Sequence, residues 1–134
     1  MNRMHRKSRR GAVAVEFAMT APLLFIILFG ALELGHANMV WNVAEAAAFE
    51  GAREGIVPGA TAGEVEAAVN NLLGISNIRG TTVTVTPSDL NQNTEFIEVA
   101  LSVPYERNTL MPPFFTGGLI IERSCRLTRE NAGQ

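Results

Sequence analysis

"RRGAVAVEFAMTAPLLFIILFGALELG", residues 9–35, decides how the rest of the chain is read. From Ala12 to Leu32 the stretch holds 21 residues and one charge, Glu16. As an α-helix that run extends about 30 Å, the thickness of a bilayer's hydrocarbon core. Glu16 is the anomaly. A carboxylate in a membrane helix costs about 2.5 kcal/mol or more near the bilayer centre and less toward an interface.

The charge ahead of the run fixes its direction. Residues 1–11 carry Arg3, Arg6, Lys7, Arg9 and Arg10 and no acid, whereas the remaining chain has six basic and thirteen acidic side chains, a balance of −7 within a net charge of −2. A basic end this short, this close to an apolar run, is no nucleic-acid surface. Beside a span it reads as the cytoplasmic flank, because Lys and Arg near a membrane segment set its orientation. The C-terminal portion then lies outside the cytoplasm, with the span in the inner (cytoplasmic) membrane. A removable secretory signal cut after Ala37 is the competing reading. Against it, the uncharged stretch Phe17–Leu32 exceeds a usual signal core, and the helical pattern does not stop there. "SRRGAV" also lacks the bulky apolar pair of a twin-arginine signal. A retained span over residues 12–35 is expected.

No breaker separates Leu32 from Arg53, and "ELGHANMVWNVAEAAAFEGARE" sets Val40, Ala44, Ala47 and Gly51 on one stripe with Asn38, Asn42 and Glu45 opposite. This is the pattern of an amphipathic helix. One helix is therefore expected from about Val13 to Arg53, with a kink at Pro22. The small-residue stripe permits close approach of a second element, read here as the protein's own sheet. "GIVPGA", residues 55–60, is the corner. Thr61 with Glu64 forms a capping box that opens a second helix. Val65, Val69, Leu72 and Leu73 supply its apolar face, and Gly74 is its expected end.

From there the period becomes two. Val83 and Val85 alternate with threonines. Ile97, Val99, Leu101, Val103 and Tyr105 share one face, as do Leu119, Ile121, Cys125 and Leu127. Alternation of this kind predicts a three-stranded antiparallel sheet with one face buried and the first helix as its cover. About one hundred residues, 36–134, suffice for one such extracytoplasmic α+β domain. The single Cys125 permits no internal disulfide, so packing alone holds it.

Chemistry is not written into the chain. His5 and His36 lie on opposite sides of the span and share no metal. Cys125, on an inward strand position, reads as a small buried residue. The glycines open no phosphate loop, and Asp89, Glu95 and Glu98 read as a solvated face rather than a paired general acid and base. No catalytic residue, metal or cofactor is expected, and the protein is not read as an enzyme. "MPPFF", residues 111–115, is an apolar cluster expected to fold back and seal the sheet edge, the alternative being a docking patch for a partner subunit.

Taken together, the basic leader, Gly11, four apolar residues, Glu16, Phe17, a long helix and a small sheet resemble the pilin class of prepilin-peptidase substrates. Residues 9–35 are most similar to the TadE-like pseudopilins of tight-adherence (Flp-type) pili. That resemblance implies a pilin-like α+β fold in which a peptidase cuts after Gly11. Residues 1–11 are then a leader, Ala12 is the new N-terminus, and Glu16, with the aromatic Phe17, serves assembly. It also implies the partners: the prepilin peptidase, other pilin or pseudopilin subunits, an inner-membrane assembly platform and membrane lipid, with no nucleic acid. The cleavage would expose an α-amino group at Ala12, and the Glu16 carboxylate about one turn along can pair with that of a neighbouring subunit. Glu16 snorkelling to the cytoplasmic headgroups is the alternative. An uncleaved single-span protein with an extracytoplasmic binding domain is the alternative to the pseudopilin as a whole.

Overall fold

A computed structural model describes residues 5–90 and 94–129, with side chains from residue 11 onward. The first element, α1, runs unbroken through His5–Gly55. It starts earlier than the expected Val13, because nothing between His5 and Gly11 breaks a helix, and the pattern of basic residues there is compatible with one. Over 51 residues it extends about 75 Å, far longer than any bilayer requires. Pro22 lies inside the helix without ending it. The charges of the expected leader, Arg3 to Arg10, lie outside the described side chains.

The halves of α1 have different surroundings. Residues 11–29 are exposed almost throughout. Beyond them, Ala37, Val40, Ala44, Ala47, Ala48 and Ala52 are buried, while Asn38, Asn42 and Glu45 face outward as the stripe predicts. Gly51 and Gly55 mark where the helix crosses its neighbours most closely. A Cβ on Gly51 would collide with Val69, and one on Gly55 would collide with Ile97 and stand 3.1 Å from Val65.

After the corner comes α2, Ala62–Ile75, opened by the full capping box: the Glu64 amide donates to the Thr61 hydroxyl at 3.3 Å, and the Thr61 amide donates to the Glu64 carboxylate at 2.8 Å. Val65, Val69 and Leu73 are buried, and Leu72 is half-buried. The helix does not stop at Gly74. It ends one residue later, and the left-handed position is Asn77, at φ 55. The Ile78 amide reaches back to the Leu73 carbonyl and the Asn77 amide to that of Gly74. This is a Schellman closure, in which asparagine replaces the usual glycine. Ile78 packs on the core and so selects this stop over Gly74.

Three strands follow: β1, Thr82–Thr86, β2, Phe96–Pro104, and β3, Ile120–Thr128. They pair antiparallel in the order β1-β2-β3, with Val85 opposite Val99, Val99 opposite Cys125 and Val103 opposite Ile121. A short 3₁₀ turn, Tyr105–Arg107, follows β2. In β2 the alternation is complete, with Ile97, Val99, Leu101 and Val103 all buried against the helices. In β3, Ile121 is buried, but Cys125 and Leu127 are only half-buried and Leu119, ahead of the strand, is exposed. Cys125 is thus a partly covered free thiol rather than a fully buried one, and burial pushes its pKa up. Arg123 shares the inward face, where its guanidinium carbon lies 3.1 Å from the centre of the Trp41 ring. The architecture is α+β: a long helix and a short one over one face of a three-stranded antiparallel sheet.

Candidate functional site

Two carboxylates stand on the apolar half of α1, and the structure gives them opposite surroundings. Glu16 is exposed. Its backbone carbonyl accepts the Thr20 hydroxyl at 3.0 Å, but among the described residues its carboxylate has no hydrogen-bond or ion-pair partner. Gly11 and Ala12 precede it on the same continuous helix, and a Cβ on Gly11 would meet nothing within 4 Å. Phe17 is exposed beside it. The residues expected to serve cleavage and assembly therefore occupy a bare stretch of helix, uncovered by the other described residues. Glu16 lies about 6 Å, a little over one turn, from Ala12.

Glu33 is the residue that reading the sequence missed. It is 4% exposed. Its carboxylate accepts the amides of Phe114 at 3.1 Å, Phe115 at 3.1 Å and Thr116 at 2.7 Å, together with the Thr116 hydroxyl. Three successive N–H groups converging on one carboxylate make a loop that closes around a helix side chain. A buried carboxylate is tolerated when its lone pairs are filled in this way. The same turn of helix is gripped a second time. The Tyr105 hydroxyl, at the end of β2, donates to the Glu33 backbone carbonyl at 3.1 Å and lies 3.2 Å from His36 Nδ1. Burial and then the nearby Glu33 charge push the Tyr105 phenol above its ordinary pKa. It is therefore a proton donor at neutral pH.

The loop's far end is built to return the chain to the sheet. Gly118, at φ 75, sits in a turn closed by the Leu119 amide on the Thr116 carbonyl, and its own amide donates to Glu106 at 2.7 Å. The Tyr105 amide then donates to the Leu119 carbonyl. The "MPPFF" cluster accordingly does not seal the sheet edge. It reaches down to α1, where Phe115 lies 3.1 Å from the position a Cβ on Gly30 would take. Satisfying the buried Glu33 carboxylate outweighs edge protection. The sequence offered only that Glu33 is an acid at the end of an apolar run, which does not point to a loop some 80 residues away.

Among the described residues, no group of three or more His, Cys, Asp or Glu is placed to hold a metal ion. His36 pairs with Tyr105, far from Cys125 on β3. Among the described residues, one helix, within Gly11–Gly55, is long and apolar enough to cross a membrane, and its most apolar window is uncovered by the other described residues. A soluble core helix of that composition would be buried.

Comparison with known proteins agrees with this geometry over one part of the chain. The model of the TadE-like protein family matches residues 11–53, which are nearly all of α1, from the glycine ahead of Glu16 through the Glu33 turn to the crossing at Gly51. No curated protein and no solved structure matches the chain. The match extends the resemblance seen at residues 9–35 well past the apolar run and stops before α2. Over this helix, residues 11–53, the chain is similar to the TadE-like protein family, the family that residues 9–35 resemble.

Proposed function

We propose that the protein is a minor, pilin-like subunit of the tight-adherence (Flp-type) pilus machinery or a related secretion system. It is anchored in the cytoplasmic membrane by α1, with its α+β domain outside. In this reading a prepilin peptidase removes residues 1–11, Ala12 becomes the N-terminus, and the bare first turns of α1 associate with other pilin-type subunits at the assembly platform. The role is structural rather than catalytic. The observation that carries the reading is Glu16: a carboxylate on an uncovered, apolar stretch of helix, without a partner among the described residues, in a segment that matches the TadE-like family. An unpaired charge there is unfavourable for the isolated subunit. A neighbour's Ala12 amine offsets that cost by pairing with it.

The test compares wild type with Glu16→Gln for membrane level, leader removal and co-purification with other pilin-type subunits. The variant is expected to insert as well as wild type or slightly better, to be processed at Gly11, and to lose its co-purifying subunits. Poor insertion of Glu16→Gln means that Glu16 serves the monomer. Equal co-purification means that the charge pair does not hold the subunits together.

A further inference from the structure

We propose that Phe114 and Phe115 form a second membrane contact, seated in the headgroup–acyl boundary of the leaflet from which α1 emerges, so that the domain lies against the bilayer. The inference rests on α1 being a membrane span. Three observations place the loop there. First, depth: Phe115 packs on Gly30. Gly30 is 18 residues beyond Ala12, about 27 Å along the helix, close to the far edge of a hydrocarbon core of about 30 Å. Second, display: the amides of Phe114 and Phe115 are pinned to Glu33, yet the side chains are turned outward, 71% and 60% exposed. A loop held this firmly presents its rings instead of burying them. Third, continuity: Leu32 and Leu34 on the same turns of α1 are exposed as well, so the two rings extend the apolar surface of the span sideways at one level. Lipid already covers α1 at that depth, and a phospholipid leaflet is the occupant this surface fits. Phe, like Trp and Leu, is among the side chains that interface-bound segments bury at the headgroup–acyl boundary.

The clasp gains a purpose in this arrangement. Glu33 hides its charge at the membrane edge by taking three loop amides, and the loop that supplies them adds apolar rings to the same level. The helix exit and the domain's tilt are then fixed together.

The test uses the full chain in vesicles of phosphatidylcholine and phosphatidylglycerol with bromine on the acyl chains near the headgroup. Wild type reports from its single tryptophan, Trp41, which is eight residues, about 12 Å, beyond Glu33. Trp41→Phe then serves as background for Phe114→Trp, Phe115→Trp and, within the span, Phe25→Trp. Residues 114 and 115 are expected to show blue-shifted emission and to lose more fluorescence to the brominated lipid than Trp41 does. With deeply brominated lipid, Phe25→Trp is expected to be quenched. Quenching at both loop positions no stronger than at Trp41, with Phe25→Trp quenched, overturns the loop contact and leaves the span standing. This holds whether the rings face water or another protein. An unquenched Phe25→Trp overturns the span itself, and the loop proposal with it.

Discussion

The Glu33 carboxylate accepts the amide proton of Thr116 at 2.7 Å and its hydroxyl proton too, across 83 residues of chain. This contact ties the point where α1 leaves its apolar run to the loop between the 3₁₀ turn and β3. It also separates the two acids of the apolar helix. Glu33 is satisfied within the subunit, whereas Glu16 is left for a neighbour in the proposed assembly.

Removing the acceptor should therefore free the loop without unfolding the core. In Glu33→Ala three neighbouring amides lose their shared partner, and a buried donor left unsatisfied is expensive. Glu33→Gln keeps one acceptor oxygen but turns an NH₂ toward N–H donors. Limited proteolysis between residues 109 and 119 is expected to be fastest in Glu33→Ala, slower in Glu33→Gln and slowest in wild type. A chain beginning at residue 36 lacks Glu33 while keeping Val40 and the buried alanines. It should melt cooperatively and expose the loop to cleavage.

The helix crossing should tolerate no methyl group. Gly51→Ala drives a Cβ into Val69 and up against Val99 and Val65. Overpacking of this kind costs about 1–3 kcal/mol. Gly63→Ala, in α2 with nothing within 4 Å of its added Cβ, is the control. It should raise stability by about 0.5–1 kcal/mol through helix propensity. Denaturant melts of the two variants should move in opposite directions.

The cap of α2 should be visible in the pH dependence of stability. Hydrogen bonds from the Thr61 amide and hydroxyl hold the Glu64 carboxyl below its ordinary pKa. A carboxyl whose folded pKa is depressed contributes stability above its unfolded pKa and loses it as pH falls through the folded value. Stability should accordingly fall on acidification through the carboxylate range. Thr61→Ala, expected to cost about 1 kcal/mol near neutral pH, should show a somewhat shallower fall, because Glu64 keeps the residue 61 amide but loses the hydroxyl that also donates to it. Melting curves at several pH values for the two proteins make the comparison.

Much of this fold is legible in local patterns of the sequence. The stripe Val40, Ala44, Ala47 and Gly51 repeats at helical spacing, and all four are buried. The alternation in β2 maps onto buried and half-buried faces without exception. Both are periodicities written every few residues. Two features are not. The end of α2 depends on Ile78 finding the core, so Asn77 and not Gly74 takes the left-handed position. The place of "MPPFF" depends on Glu33, some 80 residues earlier, which lies at the end of an apolar run where nothing nearby marks it as a hydrogen-bond acceptor for a distant loop. Long-range polar contacts have no period. The bare environment of Glu16, by contrast, follows from the same local features that identified it.

In the proposed function α1 is the processed, assembling helix of a pilin-like subunit, and the intact mass of the protein extracted from membranes reads that processing. The expected mass is short by residues 1–11, with Ala12 at the N-terminus. A mass that retains residue 1, or a chain beginning near Asn38, would contradict it.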